Sequence, residues 1–93
     1  MIKIVKISTA EELVGDIIDH ENEIEIKEPC AIAMIPSQSS LTSHSMGLIP
    51  YAGYTKGHTV TIKKDKIVWI AEPVEELYNQ YNSIFGTGIK IFT

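Results

Sequence analysis

Residues 60–73 read Val-Thr-Ile-Lys-Lys-Asp-Lys-Ile-Val-Trp-Ile-Ala-Glu-Pro and carry the strongest fold signal in the chain. Two short β-branched runs, residues 60–62 and 67–70, flank four turn residues that comprise three lysines and one aspartate. Such runs on either side of a short polar turn are typical of a β-hairpin. We therefore predict a hairpin here, and we call residues 63–66 the lysine turn.

Length and composition indicate one globular domain. The chain has 93 residues, of which 44% are hydrophobic and 22% are charged. Its apolar runs are too short to span a bilayer, and its first residues alternate charged with β-branched side chains, unlike a signal peptide. The single cysteine, Cys30, lies in an apolar run, which predicts a buried thiol. We therefore expect a cytoplasmic protein without membrane contact.

Charge is distributed unevenly along the chain. Residues 11–28 carry eight carboxylates against Lys27, whereas residues 56–66 carry four lysines against Asp65. The formal net charge is −4, and the sequence contains no arginine. Because binding to a nucleic-acid backbone depends on many cations, this balance argues against indiscriminate binding, and we expect no DNA partner. A nucleic-acid contact would depend on the lysine turn.

Alternating and β-branched runs predict strands along most of the chain. The predicted strands cover residues 2–8, 13–19, 23–27, 30–35, 48–54, 58–62 and 67–70. We interpret the fifth and sixth runs as halves of one bent strand that is interrupted around Gly57. Gly15 predicts a strong bend or a close backbone approach, and Pro29 predicts a break or bulge. Residues 36–45, rich in serine and threonine, predict a loop.

The period of the pattern changes near the C-terminus. Apolar residues recur at helical spacing within residues 73–85. Pro73 suits the first helical turn and Gly86 suits the end. The apolar residues 89–92 follow, and we expect them to add a short final strand. The sequence thus predicts a mainly β domain, residues 1–72, with a helix and tail, residues 73–93, packed on it.

Two segments resemble the signatures of the Sm-like family. Residues 13–19, Leu-Val-Gly-Asp-Ile-Ile-Asp, followed by the strand at 23–27, resemble the first signature. Residues 62–65, Ile-Lys-Lys-Asp, followed by residues 66–70, resemble the second signature, where the family commonly has Ile-Arg-Gly before a closing strand. The resemblance covers residues 2–72 and points to the divergent Sm-like proteins of phages that infect marine cyanobacteria. The helix lies at the opposite terminus from the family's usual arrangement.

The resemblance implies a small, strongly bent, five-stranded antiparallel barrel of the SH3-like kind. In the family, the fourth strand of one subunit pairs with the fifth strand of the next and closes a homo-oligomeric ring. In this chain, residues 58–62 would pair with residues 67–71 of a neighbour, and we expect a ring of small order. The implied subunit-interface residues are Thr59, Thr61, Val68 and Ile70.

The family's RNA site lies between the loop after the second strand and the turn before the fifth. The resemblance therefore assigns RNA contacts to Lys63 and Lys64 in the second segment. With a shift of the first-loop pattern by one residue, it also assigns stacking to His20 and hydrogen bonding to Asn22. The chain departs from the family pattern because Asn22 stands at the stacking position and Glu23 at the amide position. The two lysines replace arginine and glycine, and a lysine supplies charge without a planar stacking surface. The family's usual uridine pocket is therefore not implied.

Two functions stay open at this point. One is an RNA-binding ring that acts in RNA metabolism or riboregulation on U-rich or A-rich single strands, in a bacterium or a phage-infected host. The other is a ring-forming protein-interaction module without RNA binding. The resemblance and the lysine turn favour the first, whereas the acidic residues 11–28 and the absence of arginine favour the second. The lysine turn is also compatible with an ordinary solvated turn.

The sequence offers no pattern for catalysis or metal binding. The three histidines have spacings that fit no metal site, and no Gly-x-Ser-x-Gly motif is present. The adjacent glutamates at residues 11–12 and 75–76 suit a turn and a helix start rather than general acid–base chemistry. We expect no enzyme activity, no metal and no cofactor. Trp69 is expected in the core or in a subunit interface.

Overall fold

The described part of the chain folds into a mainly antiparallel β structure with one helix after the last strand, as predicted. The computed structural model describes residues 1–36 and 44–85. Its elements are β1 (Ile2–Ile7), β2 (Glu12–Asp19), β3 (Glu23–Pro36), β4 (His44–Pro50), β5 (Thr59–Lys63), β6 (Ile67–Ala71) and α1 (Glu75–Phe85). Two 3₁₀ turns, Lys56–His58 and Lys64–Lys66, precede β5 and β6. Within these described ranges, no helix is long and apolar enough to cross a membrane.

Strand β3 organises the sheet because it pairs with three other strands. One of its edges pairs with β2; the other pairs with β5 along residues 23–27 and with β4 along residues 30–36. The sheet order is β4-β3-β2-β1-β6, with β5 beside β4 on the same edge of β3. The described residues thus form six strands instead of the predicted five. The predicted bent strand is divided because residues 51–58 leave the sheet, with Gly57 and His58 at positive φ.

The predicted hairpin at residues 60–70 is wrong. Both strands and the lysine turn are present, but β5 pairs with β3 and β6 pairs with β1. The lysine turn therefore joins strands at opposite ends of the sheet. Four strand spacings in a flat sheet amount to about 19 Å, and four residue steps reach at most about 14 Å, so the sheet must curl. Burial on one core decides the pairing, since Ile62 and Ile67 pack against the same apolar cluster.

A bulge bends β2 and β3 where the sequence predicted it. Gly15 of β2 lies opposite two residues of β3, Glu28 and Pro29, and Glu28 has a φ of 51°. A Cβ atom at Gly15 would lie 2.5 Å from the Cγ2 atom of Ile26 and 3.0 Å from the carbonyl oxygen of Lys27. The close approach at Gly15 and the bulge at Pro29 are both confirmed, and β3 continues through the bulge without a break.

Apolar residues cover both faces of the curled sheet. The inner cluster consists of Val5, Ile7, Leu13, Ile24 and Ile26, which are all buried. The outer cluster contains Val14, Cys30 and Tyr81, and α1 covers it. Burial, followed by the charge of Glu28, raises the pKa of the Cys30 thiol to about 11. The predicted buried thiol and the predicted helix are both confirmed.

Two predicted segments fall largely outside the described residues. Residues 37–43 of the predicted loop and the whole predicted final strand, residues 89–92, belong to this part of the chain. The ends of the loop were predicted wrongly, because Pro36 and His44 are paired residues of β3 and β4. The ladder between these two strands continues past the point where serine and proline suggested a loop.

Candidate functional site

Two segments that are distant in sequence form one open cleft. The backbone N–H of Lys64 in the lysine turn donates to the carbonyl oxygen of Asn22, in the loop between β2 and β3, at 3.0 Å. The cleft has a volume of about 440 Å³ and is lined by Glu21, Asn22, Lys63, Lys64 and Asp65. The structure thus brings together three of the four residues to which the resemblance assigned RNA contacts.

The strand register places the lysines at the mouth of the β2–β3 loop. Lys63, the last residue of β5, lies directly opposite Glu23, the first residue of β3. The next pair along the ladder is Ile24 with Ile62, and Ile24 is fully buried in the inner cluster. Because a slip of one residue would turn these isoleucines to the other face of the sheet, burial fixes the register and therefore the position of Lys63.

Each of the two cleft lysines is paired with a carboxylate. The Nζ atom of Lys64 lies 2.9 Å from Oδ1 of Asp19, and the Nζ atom of Lys63 lies 3.6 Å from Oε1 of Glu23. All four side chains are partly or largely exposed. Exposed pairs of this kind contribute only about 0.2–1 kcal/mol each. The lysines can therefore exchange one anionic partner for another at little cost.

The surroundings of the cleft are acidic on balance. The two segments, residues 19–25 and 63–66, hold five carboxylates and three lysines, so their formal charge is −2 with His20 neutral. The carboxylates belong to Asp19, Glu21, Glu23, Glu25 and Asp65. Glu21 and Asp65 also line the cleft and were not predicted as site residues. Their only signal was that each adjoins a residue selected through the resemblance.

His20 lies beside the cleft and is not among the described residues that line it. Its Nε2 atom is 3.3 Å from Oε1 of Glu25, and its backbone N–H donates to the carbonyl oxygen of Glu23 at 2.9 Å. These contacts hold the loop end against β3. His20 is therefore adjacent to the cleft, but its ring contacts the carboxylate of Glu25 on β3.

The residues expected at a subunit interface lie on two strands that each have an open edge. In the described part of the chain, β5 pairs with β3 alone and β6 with β1 alone. Thr59 and Thr61 belong to β5, and Thr61 is exposed. Val68 and Ile70 belong to β6 and are both exposed, as is Trp69 between them. Trp69 is therefore not a core residue of the single chain, and its place in an interface stays a prediction.

Residues 1–36 and 44–85 contain no group of three histidine, cysteine, aspartate or glutamate side chains that could hold a metal ion.

Comparison with known protein families and with curated proteins gave no match to this chain. The case for a function therefore depends on the cleft and the open strand edges themselves.

Proposed function

We propose that this chain is an Sm-like, ring-forming protein that binds single-stranded RNA in the cleft between the β2–β3 loop and the lysine turn. The observation that carries the proposal is the meeting of Asn22, Lys63 and Lys64 in one cleft of about 440 Å³. Resemblance alone had assigned these residues a common role. The resemblance also implied that these two segments lie side by side, and the shared cleft agrees with that expectation.

The side chains in the cleft suit a nucleotide with an unpaired base. The ammonium groups of Lys63 and Lys64 can bind phosphate oxygens as point charges. The amide of Asn22 offers two donors and one acceptor, which suits the edge of a base. A base presents that edge freely only when it is unpaired, so single strands fit better than duplexes. Hydrogen bonding instead of aromatic stacking would hold the base, because no aromatic residue is among the described residues that line the cleft.

Ring formation is supported by β5 and β6, each of which has one edge that is unpaired within the described residues. An exposed apolar edge strand such as β6 is a template for pairing with another chain. Pairing of β5 with β6 of a neighbour would use both open edges and cover Val68 and Ile70. Each added subunit would also add one cleft. When a cleft of low affinity is repeated around a ring, the overall affinity for one RNA strand rises although each cleft makes the same contacts.

The test is a pair of matched double variants in an RNA-binding titration. Fluorescence anisotropy with labelled U-rich and A-rich RNAs would compare the wild type with Lys63→Ala/Lys64→Ala and with Lys27→Ala/Lys56→Ala. Both variants lose two positive charges, but only the first alters the cleft. We expect the first to bind at least about 10-fold more weakly and the second to stay within about twofold of the wild type. Absence of RNA binding by the wild type at low salt would overturn the proposal.

The acidic surroundings favour a second candidate, a ring that binds a protein partner and no RNA. Asp19 and Glu23 already occupy the two cleft lysines, and the formal charge of the two segments is −2. Such a cleft would attract a cationic side chain more readily than a phosphate. The same titration separates the candidates: this second one requires an assembled wild-type protein that leaves the anisotropy of both RNAs unchanged.

A further inference from the structure

The two carboxylates that pair with the cleft lysines have a role of their own. We infer that Asp19 and Glu23 are internal competitors for Lys64 and Lys63, and that they make the cleft select RNA with an unpaired base over bare phosphate charge. The inference rests on the proposed RNA-binding function and assigns specificity to residues outside the lining of the cleft.

The sheet holds both competitors in place. Asp19 ends β2 and Glu23 begins β3, and Glu23 is the cross-strand partner of Lys63. Each carboxylate forms an ion pair with the same ammonium group that a phosphate would need, with N···O separations of 2.9 Å for Lys64–Asp19 and 3.6 Å for Lys63–Glu23. A phosphate must therefore displace the carboxylate or share the lysine with it against charge repulsion. In either case a ligand that offers only phosphates gains little.

A ligand with an unpaired base gains more than it loses. The base can reach the amide of Asn22 and form hydrogen bonds that do not depend on the lysines. A strand held by its base at Asn22 needs fewer lysine–phosphate contacts to bind, so competition at Lys63 and Lys64 costs this strand less than it costs a ligand that offers only phosphates. Duplex RNA and polyphosphate cannot make the hydrogen bonds to Asn22, because paired bases and bare phosphates present no free base edge. The carboxylates thus lower the affinity for duplex RNA and polyphosphate more than they lower the affinity for single strands.

The test replaces the two carboxylates by amides of the same shape. Asp19→Asn/Glu23→Gln would be compared with the wild type for binding to a U-rich single strand, an A-rich single strand, duplex RNA of equal length and inorganic polyphosphate. We expect duplex RNA and polyphosphate to bind about 10-fold more tightly to the variant, and the single strands about threefold more tightly or less. The salt dependence of duplex binding should also steepen, because more lysine–phosphate contacts form.

A matched control separates a local effect from net charge. Glu75→Gln/Glu76→Gln on α1 raises the net charge by the same amount, and neither residue lines the cleft. Its ratio of single-strand to duplex affinity should stay within about twofold of the wild type. An equal fall of this ratio in the control would overturn the inference, since general electrostatics would then explain the effect.

The outcomes also distinguish the inference from the function on which it rests. If no version of the protein binds any RNA, the proposed function fails. If the wild type binds RNA, loses binding in Lys63→Ala/Lys64→Ala, and keeps its affinity ratio in Asp19→Asn/Glu23→Gln, the inference alone fails. Thermal unfolding of each variant would verify folding, and single Asp19→Asn, at an exposed position, would replace the double variant if that one does not fold.

Discussion

Tyr81 connects the helix to the bulge in the sheet. Its hydroxyl donates to the carbonyl oxygen of Glu28 at 2.8 Å, and the carbonyl oxygen of Lys27 lies 3.2 Å away. Burial, followed by the charge of Glu28, raises the pKa of Tyr81, so the hydroxyl keeps its proton and stays a donor. Because the bulge interrupts the ladder between β2 and β3, this donor satisfies a backbone carbonyl that lies beneath the helix.

Removal of the Tyr81 hydroxyl should destabilise the fold. Tyr81→Phe keeps the ring in the outer cluster but leaves the carbonyl of Glu28 without its side-chain donor. We expect a loss of about 1–3 kcal/mol in the free energy of unfolding, measured by urea denaturation. Tyr78→Phe is the matched control, because Tyr78 lies on the same helix with its side chain exposed, and its change should stay within about 0.5 kcal/mol. Equal losses in both variants would contradict this role.

At the scale of elements, the bulge decides how β3 distributes its partners. Before Glu28, the edge of β3 that faces away from β2 pairs with β5, and after Pro29 the same edge pairs with β4. The antiparallel register of β5 on the first half of β3 places the lysine turn beside the β2–β3 loop, at the end of β3 that is far from β4. Gly15 permits the bend, because the opposing strand lies where a side chain would otherwise be.

A single methyl group at Gly15 should therefore strain the sheet. In Gly15→Ala the new Cβ would meet Ile26 Cγ2 at 2.5 Å and the Lys27 carbonyl oxygen at 3.0 Å, and the latter is backbone that cannot rotate away. We expect the free energy of unfolding to fall by about 1–3 kcal/mol. Gly53→Ala meets only Pro50 at 3.9 Å, so thermal denaturation should show almost no change for this control. An unchanged free energy of unfolding in Gly15→Ala would mean that β2 and β3 can move apart at this position without loss of stability.

Local pattern predicted the elements well but did not predict their partners. The alternation at residues 23–27 and the helical spacing at 73–85 depend on neighbouring residues, and β3 and α1 formed as expected. The hairpin at 60–70 failed because the choice of ladder partner depends on burial against distant strands. The same limit applies to the cleft. Asn22 and the lysines were selected through a family resemblance, whereas the pair Lys64–Asp19 exists only after the sheet curls.

At the scale of the whole molecule, β4, β5 and β6 each have one edge that is unpaired within the described residues. Val68 on β6 is 59% exposed, and Ile49 on β4 is 57% exposed, although both are aliphatic residues of edge strands. The proposed ring uses the edges of β5 and β6 and does not use β4. Two equally exposed aliphatic residues thus have different expected roles, which gives a direct comparison.

A charge on β6 should prevent assembly, whereas the same charge on β4 should not. A lysine in an edge strand opposes pairing with another chain because its charge would have to be desolvated in the new interface. We therefore expect Val68→Lys to be a folded monomer by light scattering and circular dichroism, and Ile49→Lys to keep the wild-type mass. Loss of assembly in Val68→Lys should also lower the affinity for RNA although the cleft is intact, because a monomer offers only one cleft to each RNA strand. A wild-type mass for Val68→Lys would instead place the subunit contact away from this strand, and the lysine turn would then act as an isolated site.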